Sequence, residues 1–411
     1  MGKQAVQHVF LIGAKGLGQY GGYETFVQKL VSTHAEMKQD GICYHVACKE
    51  GVLPASGDPE AERVRVLGER EYAYCGAHCF VIHVPDIGAA QAIWYDVAAL
   101  KYAFRYCREH HIEHPVFYIL ACRIGVLIGG MSRRISALGG RLYINPDGHE
   151  WMRAKWSAPV RRYWKYSEKR MVKASDLVVC DSRQMEIYIR EEYSRYKPRT
   201  VFIPYGADAR PSALADDDPS FVEWMNQNGV ESGGYYLVVC RLVPENSFET
   251  ILSEFMKSRT KKKLILITTQ EKKFYQALRE KLHFETDDRI RFAGALYNRE
   301  LLMKVREKAY AYIHGHTVGG TNPTLLEAMS STWVNLLVDV SFNREVGEDA
   351  ALYWSTQPGS LSGVIDKADA MSEEERSALG SRARARIRDA YRWDQVTEQY
   401  SLLFSGVKGN I

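Results

Sequence analysis

The amino-acid sequence predicts an α/β protein built from two doubly wound, Rossmann-like domains. At 411 residues the chain is longer than one hydrophobic core usually organises, so two domains of roughly 200 residues are expected. Short apolar runs alternate with stretches of helical periodicity, which is typical of a mostly parallel sheet. This alternation pauses near residue 205 and starts again at Tyr235, as expected for a second sheet.

The first half opens with an apolar run at 8–13, a glycine-rich loop and a helical segment from Glu24. This order is the opening of a nucleotide-binding α/β domain. The further predicted strands are 43–48, 80–84, 116–120, 142–144, 177–180 and 201–203, and the predicted helices are 93–110, 160–174 and 184–192.

The second half repeats the pattern after a linker at 205–234 that contains one short helix near 221–227. The predicted strands are 235–240, 263–268, 289–293, 310–314 and 335–338, with helices at 249–258, 274–282 and, as a long tail, 372–403. We therefore predict an N-terminal domain of 1–205, a C-terminal domain of 206–385 and a terminal helical segment of 386–411.

Composition excludes several classes of protein. The net charge of +4 is too small to indicate nucleic-acid binding by itself. The longest apolar stretch, 116–130, contains Arg123 and is too short to span a bilayer. The eight cysteines form no paired C-x-x-C set, so no metal site is predicted. Reduced cysteines and a polar N-terminus without a signal peptide indicate a cytoplasmic protein.

The first loop, residues 13–24, is rich in glycine. Glycines such as Gly21 and Gly22 let backbone amides approach an anion, and the helix that follows favours negative charge, so a diphosphate is the expected ligand. The spacing does not match G-x-G-x-x-G, so a dinucleotide cofactor is disfavoured. The alternative is a tight turn that binds nothing.

A second cluster, residues 143–156, begins at the end of a predicted strand, where open α/β sheets bind ligands. Asp147, His149 and Glu150 fall within four positions and suit acid–base chemistry or contacts with sugar hydroxyls. The alternative is a polar loop that caps the next helix.

A third cluster, residues 314–329, contains a Gly-Gly-Thr-Asn-Pro turn with Pro323 suited to the first turn of a helix. Amides over 321–324 would then point at a phosphate, and Glu327, one turn into the helix, would accept hydrogen bonds from a ribose. Arg241, at the end of the strand 235–240, suits neutralisation of a diphosphate. A surface salt bridge is the alternative for Arg241.

Residues 153–173 carry eight basic residues against one acidic residue, with aromatic residues between them. Such a surface favours an anionic membrane or a lipid diphosphate. The alternatives are a solvated helix face and, more weakly, nucleic acid, for which no recognised motif is present.

Together these motifs resemble glycosyltransferase family four, and more narrowly its bacterial rhamnosyltransferase branch. The matching segments are Y-G-G-aromatic-E-T-F at 20–26, D-G-x-E-W-x-R-x-K-W at 147–156, R-x-V-P-E-N at 241–246, V-G-G-T-N-P-x-L-L-E-A at 318–328, and F-N-R-E at 342–345. The match covers most of the chain, in order.

The resemblance implies a GT-B fold with an acceptor site in the N-terminal domain, a nucleotide-sugar donor site in the C-terminal domain and a terminal helix that crosses back. It also implies retention of anomeric configuration without a metal ion or other cofactor. The residues expected in catalysis are Asp147, Glu150 and Arg241. Those expected to bind the donor are Gly21, Gly22, Arg241, Gly320, Thr321, Asn322, Thr324 and Glu327. Those expected to bind the acceptor are Tyr23, Glu24, His149, Trp151, Arg153 and Lys155, and those expected at the membrane are Trp156, Arg161, Arg162, Trp164 and Lys165.

Two positions depart from the wider family. Asn246 stands where relatives have a lysine that meets the diphosphate, and Gly319 stands where they have a glutamate that meets the sugar. A lost hydroxyl acceptor suits a 6-deoxy sugar. We expect transfer of L-rhamnose from dTDP-L-rhamnose to a polyprenyl-diphosphate-linked GlcNAc or Glc at the inner face of the cell membrane, in capsule or cell-wall synthesis. The alternatives are another donor, such as UDP-glucose or UDP-galactose, and a non-catalytic subunit that binds sugar nucleotides.

Overall fold

A computed structural model describes residues 6–17, 21–39, 41–51, 63–153, 155–269 and 272–406. The chain forms two compact units. The first comprises Met1–Tyr205 together with Trp393–Ile411, and the second comprises Gly206–Arg392. The second unit ends at Arg392, whereas the sequence predicted that its domain ends at residue 385.

The first unit is built on a sheet whose strand order is β3-β4-β5-β2-β1-β6-β7-β8-β9. Its strands are β1 (Gln7–Ile12), β2 (Ile42–Lys49), β3 (Val64–Gly68), β4 (Glu71–Tyr74), β5 (Ala77–Ile82), β6 (Val116–Leu120), β7 (Arg141–Asn145), β8 (Leu177–Cys180) and β9 (Thr200–Phe202). From β5 to β9 all neighbouring strands are parallel. The loops after these strands therefore emerge at one edge.

Helices cover the first sheet and connect its strands. They are α1 (Gly22–Glu36), α2 (Gln91–Glu109), α3 (Ile128–Ala137), α4 (Ala158–Ala174) and α5 (Arg183–Glu192). Apolar strand residues pack against α2, where the rings of Phe104 and Phe117 are 5.4 Å apart, and Phe117 stacks on Phe10 at 5.2 Å. All three rings belong to one core of aliphatic and aromatic side chains.

Strands β3 and β4 were not predicted. They extend the sheet in the antiparallel direction beyond β5. Four of the five residues of β3 are exposed, so its sequence lacks the apolar run that marks the buried strands. Helix α3 was also missed. Its first residues belong to the same apolar stretch, 116–130, as strand β6, so the sequence has no clear boundary between the two elements.

The terminal helix of the described chain, α14 (Trp393–Ser405), packs on the first unit against α1. Its buried Tyr400 hydroxyl lies 3.0 Å from the hydroxyl of Tyr118 in β6. Phe404, one turn further on, packs edge-on against Tyr44 of β2. The first unit is thus completed by residues from the far end of the chain.

The second unit contains an entirely parallel sheet with the order β12-β11-β10-β13-β14-β15. Its strands are β10 (Tyr235–Val239), β11 (Lys263–Ile267), β12 (Ile290–Gly294), β13 (Ala311–His314), β14 (Asn335–Val338) and β15 (Leu352–Trp354). Its helices are α6 (Pro219–Asn228), α7 (Phe248–Lys257), α8 (Lys272–Leu282), α9 (Arg299–Lys308), α10 (Pro323–Ser331), α11 (Ser341–Gly347), α12 (Ser360–Ala370) and α13 (Glu373–Ala390).

The predicted helical tail is two helices, α13 and α14, with a break between Ala390 and Trp393. Helix α13 begins with a capping box, in which the Ser372 hydroxyl and the Glu375 carboxylate each accept a backbone amide. The predicted fold class, two doubly wound sheets with a terminal helix on the first unit, is confirmed. Within the described ranges, no helix has the length and apolar character needed to cross a lipid bilayer.

Candidate active site

In the first unit, the loops after β1, β6 and β7 lie at the same edge because these strands are parallel neighbours. In the second unit, the loops after β10 and β13 are brought together in the same way. These five loops contain most of the residues predicted to bind donor and acceptor.

The predicted acceptor residue Glu24 holds the glycine loop in place. Its buried carboxylate turns back from α1 and accepts a hydrogen bond of 2.9 Å from the Lys15 amide. A Cβ on Gly21 would lie 2.0 Å from the same carboxylate, so a larger residue there would displace it. Gly22 begins α1 with open space around it. Residues 18–20, including Tyr20 of the predicted motif, lie outside the described residues.

Arg123, three residues after the end of β6, holds the backbone of the glycine loop. Its guanidinium donates to the Gly13 carbonyl at 3.0 Å and pairs with the buried Asp96 carboxylate at 3.3 Å. Burial raises the pKa of Asp96 to about 6, although the guanidinium opposes that shift. Sequence reasoning missed this pair. An arginine within the long apolar stretch that contains β6 was the signal that could have found it.

A tyrosine and an asparagine join α1 to the end of β7. The Tyr23 hydroxyl donates to Asn145 Oδ1 at 3.3 Å, and the same oxygen accepts the Asp147 amide at 2.8 Å. Burial raises the pKa of Tyr23 well above its usual value, and the nearby Asp147 carboxylate acts in the same direction. Tyr23 is thus a neutral hydrogen-bonding group beside Asp147. Asn145 was not predicted as a site residue.

The backbone around Asp147 is strained. Asp147 and His149 both have positive φ angles, 61° and 49°, which non-glycine residues adopt at a cost. The His149 ring lies 4.2 Å from the Tyr188 ring and 6.0 Å from that of Trp151. Burial lowers the pKa of His149, and the positive charge of Lys165 acts likewise, so the imidazole is neutral at neutral pH.

Glu150, predicted to be catalytic, is an internal anchor. Its side chain is 11% exposed, and it forms an ion pair with Arg153 and another with Lys155 at 2.9 Å. The Trp156 indole also donates to this carboxylate at 2.9 Å. Because its oxygens already meet two cations and an indole, Glu150 orients Arg153 and Lys155. Arg153 in turn lies 3.9 Å from Asp147 Oδ1.

In the second unit, one amide side chain ties two loops together. Asn246, 5% exposed, donates from Nδ2 to the Arg241 carbonyl at 2.7 Å, and its Oδ1 lies 2.7 Å from His316 Nδ1. Because an amide oxygen only accepts, Nδ1 is the protonated nitrogen of His316 in this contact. Arg241 itself is exposed at the end of β10. His316 was not predicted as a site residue.

His316 also fills the space beside Gly319, one of the two positions at which the sequence departs from the motifs of glycosyltransferase family four. A Cβ on Gly319 would lie 2.7 Å from His316 Nε2, and the glycine has a φ of 155°. Any side chain at 319 would therefore have to move the imidazole. The Phe342 ring packs edge-on against His316 at 6.0 Å and limits that movement.

Helix α10 begins as predicted at Pro323, but its first turn is already capped. The Asn322 side chain accepts the Thr324 amide at 2.9 Å. The prediction that the Thr324 amide points at a phosphate is therefore wrong, since an N-cap side chain occupies it. Thr321 and Gly320 are buried in the turn before the cap.

Glu327 lies one turn into α10, and an arginine from α9 meets it. Its Oε2 is 2.7 Å from Nη2 of Arg306, whose side chain is 5% exposed, whereas a third of the Glu327 side chain is exposed. Sequence reasoning missed Arg306. The pair orients the carboxylate with one oxygen toward Arg306.

The basic helix α4 has two different faces. Arg161 and Arg162 are exposed, but Lys165 turns inward, where its Nζ lies 2.9 Å from Glu192 and 2.6 Å from the Tyr188 hydroxyl. The predicted membrane role of Lys165 is therefore wrong, because its charge is paired within the unit.

Two half-buried tryptophans lie beside the exposed arginines. The rings of Trp156 and Trp164 are 6.2 Å apart, and Lys155 Nζ lies 4.6 Å from the centre of the Trp156 ring. The exposed charge and the aromatic rings are thus on one segment, which extends from the loop after β7 into α4.

Comparisons with known proteins agree with this architecture. Residues 6–208 match the model of a domain of unknown function, DUF1972. No curated protein sequence matches the chain. Among solved structures, the sucrose-phosphate synthase from Thermosynechococcus elongatus is similar with a TM-score of 0.73 at 15% identity, over 98% of this chain and 99% of that one.

Two further structures are similar over the same extent. A structure from E. coli, described as trehalose-6-phosphate bound with UDP-2-fluoro glucose, has a TM-score of 0.70 at 11% identity, covering 98% of this chain and 99% of that one. Anabaena HepE in complex with UDP and glucose has a TM-score of 0.67 at 13% identity, covering 98% and 100%. The chain has the GT-B fold that these glycosyltransferase structures share.

Glu150→Ala is expected to destabilise the first unit by about 3 kcal/mol, because it removes the nearer of the two carboxylates that pair with the largely buried Arg153. Glu109→Ala, which removes an exposed i,i+4 pair with Arg105, is the matched control and should cost under about 0.5 kcal/mol. Urea-dependent hydrogen exchange of β6 and β7 peptides measures both. Equal effects of the two substitutions would contradict the anchoring role.

Proposed function

We propose that this chain is a retaining glycosyltransferase that moves L-rhamnose from dTDP-L-rhamnose to a polyprenyl-diphosphate-linked GlcNAc or Glc. No cofactor is required in this proposal, since the nucleotide sugar is a substrate. The second unit binds the donor and the first unit binds the acceptor. The enzyme acts in capsule or cell-wall polysaccharide synthesis at the cytoplasmic face of the membrane.

The observation that carries this proposal is the tie between the β10 and β13 loops of the second unit. Arg241, Asn246 and His316 form a connected set at the carboxyl ends of two neighbouring parallel strands. Ligands of open α/β sheets bind at that edge. Solved structures with the same fold have been determined with UDP and glucose or with UDP-2-fluoro glucose, which supports a nucleotide-sugar donor here.

Stabilisation of the leaving group supplies most of the catalysis. As the bond between the sugar and the diphosphate breaks, negative charge develops on the phosphate oxygen. The exposed Arg241 guanidinium meets this charge, with Gly320, Thr321 and the capped turn at Asn322 behind it. Because Asn246 fixes the backbone of Arg241, the guanidinium that donates hydrogen bonds to the leaving group is preorganised before the reaction.

The sugar specificity follows from the His316 imidazole. A carboxylate at 319 would accept a hydroxyl of a hexose, but the imidazole occupies that space. With Nδ1 protonated, a neutral imidazole offers only one accepting nitrogen, Nε2, where a carboxylate offers two oxygens. A 6-deoxy sugar, which has one hydroxyl fewer than glucose, suits this reduced set of acceptors.

Glu327 contacts the pentose ring of the nucleotide. Its Oε2 pairs with Arg306, so its Oε1 is the oxygen that accepts from the nucleotide. A deoxyribose offers only its 3′-hydroxyl as a ring donor, whereas a ribose offers two hydroxyls. One carboxylate oxygen has two lone pairs and can accept from either pentose, so this contact is compatible with dTDP.

The acceptor binds in the first unit beside Asp147. Tyr23 and Asn145 hold the backbone of Asp147, which leaves its carboxylate beside Arg153 to orient or deprotonate an acceptor hydroxyl. Glu150 positions Arg153 and Lys155, which can meet the diphosphate of a lipid-linked acceptor. Neutral His149 and the Trp151 ring form the less polar side of this site.

The segment with Arg161, Arg162, Trp156 and Trp164 contacts the anionic membrane that contains the acceptor. Exposed arginines attract lipid headgroups, and tryptophans prefer the interface. In this proposal the chain is a peripheral membrane protein. Nucleic acid is not part of the proposal.

Two rival functions have specific support. The bound ligands of the similar structures, UDP with glucose and UDP-2-fluoro glucose, favour a UDP-hexose donor such as UDP-glucose or UDP-galactose. The missing lysine and glutamate at Asn246 and Gly319 favour a non-catalytic subunit that only binds the nucleotide.

Incubation of the purified chain with dTDP-L-rhamnose, UDP-glucose or UDP-galactose and polyprenyl-diphosphate GlcNAc or Glc separates these functions. Product formed only from dTDP-L-rhamnose is expected, measured by mass spectrometry of the lipid product. Arg241→Ala should lower turnover about 10²- to 10³-fold, because one preorganised donor to the leaving group is lost.

Arg259→Ala is the matched control, since that arginine is 86% exposed and pairs with Asp366. Turnover only with a UDP-hexose would replace the donor assignment. Nucleotide binding without turnover by any donor would support the non-catalytic subunit.

Gly319→Ala is expected to lower kcat/KM for dTDP-L-rhamnose about tenfold, which corresponds to about 1.4 kcal/mol and to one hydrogen bond. The added Cβ must displace His316 Nε2 from 2.7 Å. Gly363→Ala is the control, because a Cβ there meets no atom within 4 Å. Steady-state kinetics measure both, and an unchanged value for Gly319→Ala would remove His316 from the donor site.

Arg161→Gln with Arg162→Gln is expected to weaken binding to vesicles containing phosphatidylglycerol about 30-fold, at about 1 kcal/mol for each charge. Arg105→Gln with Arg108→Gln removes the same charge from exposed positions of α2 and should have a smaller effect. Cosedimentation measures both. Equal losses would indicate that only net charge matters.

A further inference from the structure

A cluster of histidines lies on the first unit's sheet, away from the candidate active site. His8 is the second residue of β1, and Cys43 and His45 are the second and fourth residues of β2. These positions are near the amino ends of parallel strands, whereas the loops that contain the candidate site follow the carboxyl ends. The proposed transferase activity uses none of these side chains.

The register of the strands places the cluster on one face of the sheet. His8 is directly opposite Cys43 in the β1–β2 pair, and Cys43 and His45 share a face because they are two residues apart. His45 is in turn opposite His78 in β5. No local spacing pattern predicts this cluster, because its four members come from the three strands β1, β2 and β5.

We propose that His8, Cys43 and His45 bind a divalent transition-metal ion, with Zn²⁺ as the best chemical match. One ligand atom from each residue lies within 4.8 Å of the others, and His8 Nδ1 is 2.9 Å from His45 Nε2. Tetrahedral Zn²⁺ requires its nitrogen ligands about 3.3 Å apart and nitrogen and sulfur about 3.6 Å apart. The two nitrogens must move apart by a few tenths of an ångström to reach that geometry.

The neighbours of His45 fix the tautomer that a metal requires. If Nε2 gives its lone pair to the metal, Nδ1 holds the ring proton, and it lies 3.0 Å from His78 Nδ1, which accepts it. His78 then has its proton on Nε2, which is 3.6 Å from the Glu71 carboxylate. The second nitrogen of a ligating histidine usually donates to an acceptor that fixes the tautomer, and here that acceptor is the His78 imidazole.

Packing holds the deepest ligand and leaves the other two accessible. His45 is 1% exposed, stacks on Phe10 at 4.4 Å and contacts the Tyr106 ring at 5.1 Å. His8 and Cys43 are only half-buried, so an ion can enter and a water molecule can supply the fourth ligand. Binding releases the thiol proton of Cys43 to solvent and replaces the hydrogen bond between His8 and His45.

The experiment uses the reduced, chelator-treated full chain titrated with Co²⁺, an optically active substitute for Zn²⁺. One equivalent per chain is expected to bind, with visible d–d bands typical of a tetrahedral site and a thiolate-to-cobalt charge-transfer band. Added Zn²⁺ should bleach both. Cys43→Ser should abolish the charge-transfer band, and His8→Gln should weaken Co²⁺ binding at least tenfold.

Both substitutions are at half-buried positions, so circular dichroism should show a native fold. Cys75→Ser and His83→Gln are the matched controls in the same unit and should leave the spectrum unchanged. No charge-transfer band in the unsubstituted chain, or a band that persists in Cys43→Ser, would overturn the proposal and leave a hydrogen-bonded histidine chain. Because the readout is optical, its outcome does not depend on whether the chain transfers a sugar.

Discussion

The hydrogen bonds of the Asn246 side chain join the two loops that form the candidate donor site of the second unit. The same amide group holds the backbone of Arg241 and orients His316, each at 2.7 Å. A lysine at 246 would have no acceptor for His316, and a glutamate at 319 would collide with its ring. The residues at 246 and 319 therefore belong to one arrangement, because both contact His316.

Carboxylates in the first unit serve mainly to hold cations and amides in place. Glu24 holds the Lys15 amide, Glu150 holds Arg153 and Lys155, and Asp96 holds Arg123. Beside Asp147 lie Arg153, which can meet a phosphate group, and the neutral side chains of Tyr23 and Asn145.

Periodicity predicted the buried strands well, because a strand covered on both faces must be apolar along its length. The strand at 116–120, for example, was predicted at its observed limits, whereas the exposed strand β3 has no such signal. The roles of the site residues stay predictions. Motifs singled out Asp147, Arg241 and Glu327, but contacts such as that between Asn246 and His316 join residues 70 positions apart, and no local pattern encodes them.

The first unit consists of two separate parts of the chain, and this constrains the order in which the units can complete their folding during synthesis. Helix α14 leaves the ribosome only after the whole second unit has been made, yet its Tyr400 and Phe404 cover Tyr118 and Phe26 in the first. The usual sequence, in which the N-terminal domain folds before the rest is translated, is therefore closed to this chain. Throughout that interval the aromatic side chains that α14 covers lack their packing partners, so the core of the first unit is completed only after the inserted unit has been translated.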